Sequence, residues 1–182
     1  MRNRLLVPAA LLLLLAAGSA GAQLPSLTVF GGAAMPTGDA GDALNTGWTI
    51  GAALDMHAPL TPFGVRVEGG YARYGVQGLS GTGVTAHTSD LGANLNVVMT
   101  VVNAGLVKPY LTAGPSWSNI KVSASDGTNS GSDSESKFGF NAGGGIDFGL
   151  GGLGARIDLR YKRISTSGSA FTTVPLTFGI RF

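Results

Sequence analysis

The chain of 182 residues contains no cysteine, so disulfides, thiol nucleophiles, iron–sulfur clusters and cysteine-ligated zinc are excluded at once. Charged side chains are scarce, 12% against 44% hydrophobic ones, which argues against a disordered or heavily solvated polypeptide. The 30 glycines follow no three-residue period, so the chain is not collagen-like. Beyond the first 22 residues no apolar run approaches the roughly 18 residues of a membrane-spanning helix. The length allows one compact domain, or one with a short appendage.

What is present begins with a leader. Arg2 and Arg4 precede an apolar core from Leu5 to Ala17, and small residues follow, ending in Ala20-Gly21-Ala22. These are the three parts of a secretory signal peptide, with cleavage expected after Ala22. The core is too short for an uncleaved anchor, which needs about 20 apolar residues. No cysteine follows the cleavage site, so no lipoprotein anchor is expected. Loss of Arg2 and Arg4 from the 12 basic residues leaves 10 against 10 acidic ones, and the mature chain is formally neutral. A nucleic-acid partner thereby loses its electrostatic support.

The mature part alternates. Trp48, Ile50, Ala52, Leu54 and Met56 form one row, while Thr49, Gly51, Ala53 and Asp55 form the other. In a β-strand such rows face opposite sides of the sheet. The same period gives the apolar rows Phe63, Val65, Val67, Tyr71, then Leu91, Ala93, Leu95, Val97, Met99, Val101, then Leu111, Ala113, Trp117. Three more are Phe138, Phe140, Ala142, Ile146, Phe148, then Ala155, Ile157, Leu159, Tyr161, then Val174, Leu176, Phe178, Ile180, Phe182. A weaker first row of Leu27, Val29, Gly31, Ala33 and Met35 brings the count to eight. The 160 residues of the mature chain supply 20 for each strand with its connection, ample for a transmembrane strand of about 9 to 11.

Connections alternate in length. His57 to Pro62, Asn103 to Val107 and Gly149 to Gly154 are short. Pro36 to Asn45, Gly75 to Ala86 and Asn119 to Ser136 are longer and rich in Gly, Ser, Thr and Asp, while Ser165 to Phe171 is again short. Short periplasmic turns opposite longer external loops are the pattern of outer-membrane barrels, and an even strand count puts both termini on the periplasmic side.

Charge placement decides between lipid and water. Opposite the apolar rows stand Asp55, Arg66, Glu68, Asp90, Asp147, Arg156, Asp158, Arg160, Lys162 and Arg181, five of each sign. If the apolar rows face lipid, these charges enter a lumen that eight strands leave just wide enough for side chains. Equal numbers of each sign can pair there. Gly64, Gly70, Gly92, Gly139, Gly143 and Gly145 lie in the same rows and suit such crowding. Trp48, Phe63, Tyr71, Trp117, Phe138, Phe148, Tyr161 and Phe182 lie near strand ends, as interfacial girdles require. Arg66, Glu68, Asp147, Arg156, Asp158, Arg160 and Lys162 are expected to form a luminal ion-pair network that packs and stabilises. A soluble lipocalin-like carrier is the architectural alternative, with the apolar rows around a ligand cavity.

The leader, the eight alternating segments and the Arg181-Phe182 ending resemble the small eight-stranded outer-membrane barrels of the OmpA transmembrane-domain and OmpX type, over essentially all of the mature chain. The resemblance implies an all-β, antiparallel up-and-down barrel in the bacterial outer membrane, with the signal peptide at 1–22 and the barrel domain at 23–182. It also implies that Phe182, with Phe178 and Ile180 in the row above it, is read by the barrel-assembly machinery. Nothing follows Phe182, so the peptidoglycan-binding domain of full OmpA-type proteins is not expected.

Outward charges are few: Arg73, Lys121 and Arg163, all basic and near external strand ends. A cation there costs about 0 to 1 kcal/mol, against about 2 to 4 at the midplane. Lipopolysaccharide phosphates are a fitting partner, since Arg contacts phosphate bidentately. Ile120 and Val122 beside Lys121 point to a change of parity after Trp117. His87-Thr88-Ser89 puts an imidazole and a hydroxyl on one outward face, the spacing by which His activates a Ser nucleophile. It resembles the His-x-Ser element of the outer-membrane lipid A deacylases, but Val101 and Val102 stand where that family carries its orienting acid, so no enzyme is expected.

Gly143-Gly144-Gly145 and Gly149-Leu150-Gly151-Gly152 lack the Gly-Lys-Ser/Thr of a phosphate loop and read as barrel kinks and a turn. His57 and His87 fall at opposite barrel ends, so a shared metal is not expected. Asp126, Asp133 and Glu135 lack EF-hand spacing, and Asn119 to Ser136 reads as a flexible acidic tip.

The expected function is that of an integral outer-membrane protein without enzymatic activity or cofactor, acting through structure or its external loops. A narrow passive channel for small solutes and a lipid-modifying hydrolase are the alternatives. Expected partners are outer-membrane lipids, lipopolysaccharide, the assembly machinery and a loop ligand that the residues do not define.

Overall fold

A strand in hydrocarbon must find a partner for every backbone group, and only a sheet closed on itself does so without helices. The computed structural model describes residues 25–57, 60–78, 85–102, 105–125, 130–150, 153–165 and 170–182, and it is a closed antiparallel barrel. Its strands are β1 (Ser26–Thr37), β2 (Gly47–His57), β3 (Phe63–Gly75), β4 (Thr85–Thr100), β5 (Val107–Ser125), β6 (Ser130–Leu150), β7 (Leu153–Ser165) and β8 (Ala170–Arg181). Each pairs with the next, and β1 closes on β8 from Thr28↔Arg181 to Thr37↔Thr172. A five-residue helix, α1 (Asp39–Ala43), lies in the β1–β2 connection. The leader and its cleavage site, Asp126, and Gly151 with Gly152 lie outside the described residues.

The alternating rows sort as lipid demands. Ile50, Leu95, Val97, Leu159, Leu176 and Phe178 stand exposed on the outer surface, while Arg66, Asp55, Arg156 and Asp158 are buried inside. A lipocalin-like carrier would show the reverse arrangement, so that alternative is set aside. Where the inner rows carry glycine, larger neighbours use the space. The ring of Phe30 covers Gly51, whose added Cβ would sit 2.5 Å from Phe30 Cζ.

Two expectations about the external side are corrected. The β4–β5 register runs without a bulge, from Ala93↔Trp117 through Ser89↔Lys121 to Thr85↔Ser125, so Trp117 and Lys121 share the outer face. The parity change read from Ile120 and Val122 is not there. Ile120 and Val122 instead share the inner face, opposite the buried Asp90 and Thr88, where an apolar residue does not mark lipid.

Within the segment 119–136, the described residues 119–125 and 130–136 are paired strand and not a loose loop. β5 and β6 stay paired from Asn119↔Ser136 to Ser125↔Ser130, although β6 first meets β7 only at Gly139↔Ile164. On its β6 side the hairpin therefore runs past β7, while β4 stays beside β5 as far as Thr85↔Ser125. Its Ser, Gly and Asp side chains show no hydrophobic alternation because no lipid lies beside them, and backbone pairing holds it.

Candidate functional site in the lumen and at the external rim

The inner rows of β2, β3, β6, β7 and β8 bring opposite charges together at the periplasmic half of the lumen. Arg66 sends Nε to Asp55 Oδ1 at 2.6 Å and Nη1 toward Asp158 Oδ2 at 3.3 Å. Arg156 grips Asp147 through Nε at 2.6 Å and Nη2 at 3.0 Å, and reaches Asp55 Oδ2 with Nη1 at 2.8 Å. Arg181 approaches Asp147 at 3.3 Å. Arg160 pairs with Asp158 at 2.5 Å and with Glu68 at 2.7 Å, and Asn94 donates to Glu68 at 3.0 Å. Arg156 on Asp147 and Arg160 on Glu68 each use two nitrogens on two carboxylate oxygens, the strongest geometry for such pairs.

Of the seven residues expected in the network, six are joined in this way: Arg66, Glu68, Asp147, Arg156, Asp158 and Arg160. Lys162 stands apart, with Nζ 2.8 Å from Asp90 nearer the external end. Asp55 and Arg181 belong to the network although only their position in the lumen was expected. Tyr110 is a hub that charge counting missed. Its hydroxyl donates to Asp158, and the guanidinium carbons of Arg66 and Arg156 lie 4.8 and 5.4 Å from its ring centre, a cation–π arrangement. Lys108 was missed too. It precedes Tyr110 by two on the inner row of β5, opposite Asp147 in the register. Its place directly after the Asn103–Val107 turn hid the alternation.

The external end is closed by different chemistry. Ala34, Leu44, Ala72 and Tyr74 form a buried apolar cluster, with Val76 and Phe171 packed against it. Between this cap and the Arg160–Glu68 pair lies a cavity of about 60 Å³, whose wall includes Glu68, Asp90, Asn94, Arg160, Lys162 and Thr177. Single apolar residues in Gly-rich connections, such as Leu44 and Val76, gave no periodic signal of this cap.

On the outer face, Arg73, Ser89 and Lys121 are register partners across β3, β4 and β5, and both cations are exposed. Trp48 adjoins Arg73 on β2. Arg163 is exposed as well, but lies on β7 between Phe140 and Thr172. Ser89 is only 8% exposed, and its hydroxyl points to the Lys121 carbonyl oxygen at 3.5 Å. Its neighbour Asp90 faces inward to Lys162, so it does not orient His87. Glu135 pairs with Lys137 at 2.6 Å, and Asp133 accepts from the Ser134 amide at 2.9 Å. Among the described residues no group of three or more His, Asp or Glu side chains is arranged to hold a metal ion.

A sheet closed on itself, apolar outside and charged within, defines an integral outer-membrane β-barrel protein. The chain belongs to the outer membrane protein beta-barrel domain family, whose model matches residues 7–182. Solved structures share the fold at low identity. Neisserial surface protein A is 17% identical with a TM-score of 0.63, covering 89% of this chain and 98% of its own. A major outer membrane protein of Thermus thermophilus is 16% identical with a TM-score of 0.65, covering 88% and 99%. Ail, the attachment invasion locus protein of Yersinia pestis, is 18% identical with a TM-score of 0.51, covering 87% and 97%. No curated protein matches the chain.

Proposed function

We propose that this barrel is a non-enzymatic surface protein that binds partners through its β5–β6 hairpin. One observation carries the reading. Among the described residues, β6 from 130 to 138 has no strand on the side away from β5. An exposed strand edge is a template for an added strand, with backbone hydrogen bonds supplying affinity. Small Ser and Gly side chains leave most of that edge unobstructed, and Asp133, beside the paired Glu135 and Lys137, leaves it one net negative charge. The partner chemistry that fits is an extended, basic polypeptide segment.

The experiment uses a labelled peptide of alternating Thr and Lys, titrated onto refolded protein. Val122 to Asp133 is replaced by Asn-Gly in a second protein, closing the hairpin on the Lys121↔Ser134 pair with a two-residue turn. Binding is expected to the intact barrel and lost in the trimmed one, which still migrates as a folded barrel on unboiled gels. Equal binding by both proteins, or none by the intact one, refutes the reading.

The alternatives have less behind them. A passive channel must contend with the ion-pair network at one end of the lumen and the apolar cap at the other. A hydrolase at His87 and Ser89 lacks an orienting carboxylate and an exposed nucleophile. For partners, Arg73 and Lys121 flanking Ser89 suit the phosphates of lipopolysaccharide, with Arg163 as a separate contact on the other side of the barrel. Unaltered lipopolysaccharide binding by Arg73→Ala and Arg163→Ala proteins would remove this part. Phe178, Ile180 and Phe182 form the outward row offered to the assembly machinery, after a leader that ends at Ala22.

A further inference from the structure

The lumen holds three layers of different chemistry: an ion-pair plug, a polar chamber and an apolar roof. We propose that the β1–β2 connection is a lid that opens this chamber to the cell exterior for small polar solutes. The inference rests on the barrel and is independent of the role of the β5–β6 hairpin.

That connection contributes Leu44 to the roof, whose other residues come from β1, β3 and β8 and from Val76 just past β3. α1 buries Ala40, and Leu44 pairs with Val76 across the mouth before packing on Tyr74. Ala72 belongs both to this roof and to the chamber wall, so the two layers are in direct contact. The lid enters from Gly38, whose φ of 61° lies in the left-handed region that favours glycine. It is held by few bonds. Asn45 donates its amide to the Gly75 carbonyl at 2.8 Å, and the Gln77 amide donates to the Ala43 carbonyl at 2.9 Å. The Gln77 side chain then donates to the carbonyls of Gly41 and Leu44, both at 2.9 Å. Gln77 is itself exposed, so water competes for this latch. The strand pairing that closes the barrel does not depend on it.

The chamber beneath is polar. Its volume of about 60 Å³ accommodates a few water-sized molecules. Asp90 Oδ1 and Asn94 Oδ1 in its wall are buried and have no hydrogen-bond partner in the protein, so the chamber suits molecules that carry N–H or O–H groups. The ion-pair plug below makes it a dead end: solutes enter and leave on the external side.

The absence of cysteine makes the test direct. Thr177→Cys places one thiol in the chamber wall, and Thr85→Cys places one at the exposed external end of β4 as reference. Each refolded barrel is treated with a small polar thiol reagent, and unboiled gel migration verifies folding. With the lid intact, position 177 is expected to react at least tenfold more slowly than position 85. Adding Gln77→Ala is expected to raise its rate about tenfold, equivalent to about 1.4 kcal/mol, the scale of two side-chain hydrogen bonds exposed to water. Gln77→Glu keeps the shape but removes the amide donors, and is expected to act alike should the alanine variant fold poorly. Reaction at 177 as fast as at 85 with the lid intact overturns the proposal. So does a rate that neither Gln77 variant changes in a folded barrel.

Discussion

Replacing Arg66 with leucine tests whether the luminal network stabilises the barrel. Arg66 has no exposed side-chain surface, and it joins Asp55, Asp158 and the ring of Tyr110. Leucine retains part of the packing volume and removes the charge, which leaves two carboxylates short of a partner in a low-dielectric interior. Removal of one member of a buried pair costs about 3 to 5 kcal/mol. Asp55 keeps Arg156 at 2.8 Å and Asp158 keeps Arg160 at 2.5 Å, so the lower end is expected. A loss of about 3 kcal/mol lowers the folding constant by roughly two powers of ten. Urea titration in phospholipid vesicles, read through the fluorescence of Trp48 and Trp117 on the outer face, measures it. The double variant Arg66→Leu with Asp55→Asn is expected to recover part of the loss, because one stranded charge is gone. A loss below about 1 kcal/mol, the worth of an exposed pair, would mean that these ions are hydrated and that the network is not a stabilising plug.

The same titration checks two further expectations. Gly145→Ala drives a methyl into the Ile157 carbonyl and the Tyr110 hydroxyl and is expected to destabilise by more than about 1 kcal/mol, whereas Gly69→Ala meets no atom within 4 Å and is expected to be close to neutral. Leu159→Lys, on the outer face opposite Leu176, is expected to cost about 2 to 4 kcal/mol if it lies near the midplane, and Ser165→Lys at the external end of β7 about 0 to 1. Phe182→Ala is expected to lower the amount of folded protein reaching the outer membrane in cells while leaving spontaneous refolding into detergent unchanged. Equal loss in both settings would assign Phe182 to stability instead of recognition.

How far the chain could be read in advance follows from where lipid touches it. Wherever a strand crosses hydrocarbon, as in β7, the outer positions must be apolar and the inner ones need not be, so Ile157 and Leu159 alternate visibly with Arg156, Asp158 and Arg160. Outside the hydrocarbon that pressure ends. Ser130 to Ser136 pairs as regularly as any other strand, yet its sequence carries no trace of which face is which. Inside the barrel, charge and the glycines beside it announced the interior positions. Tyr110, Tyr74 and Phe30 face inward too, but an aromatic residue is as welcome at a membrane interface as over a glycine gap. The pairing partners within the lumen needed the register, since Asp55 and Arg156 are separated by 101 positions.

Leu27 and Phe182 exchange two backbone hydrogen bonds, at 3.2 and 2.8 Å, at the seam between the first and last strands. The first strand of the sheet thus waits for the eighth. Until then the growing sheet carries two open margins, each able to recruit a foreign strand, and no amount of local folding along the way can zip them. Cutting even a few positions from β8 leaves the circle broken, so the last strand is itself a condition for residence in the bilayer.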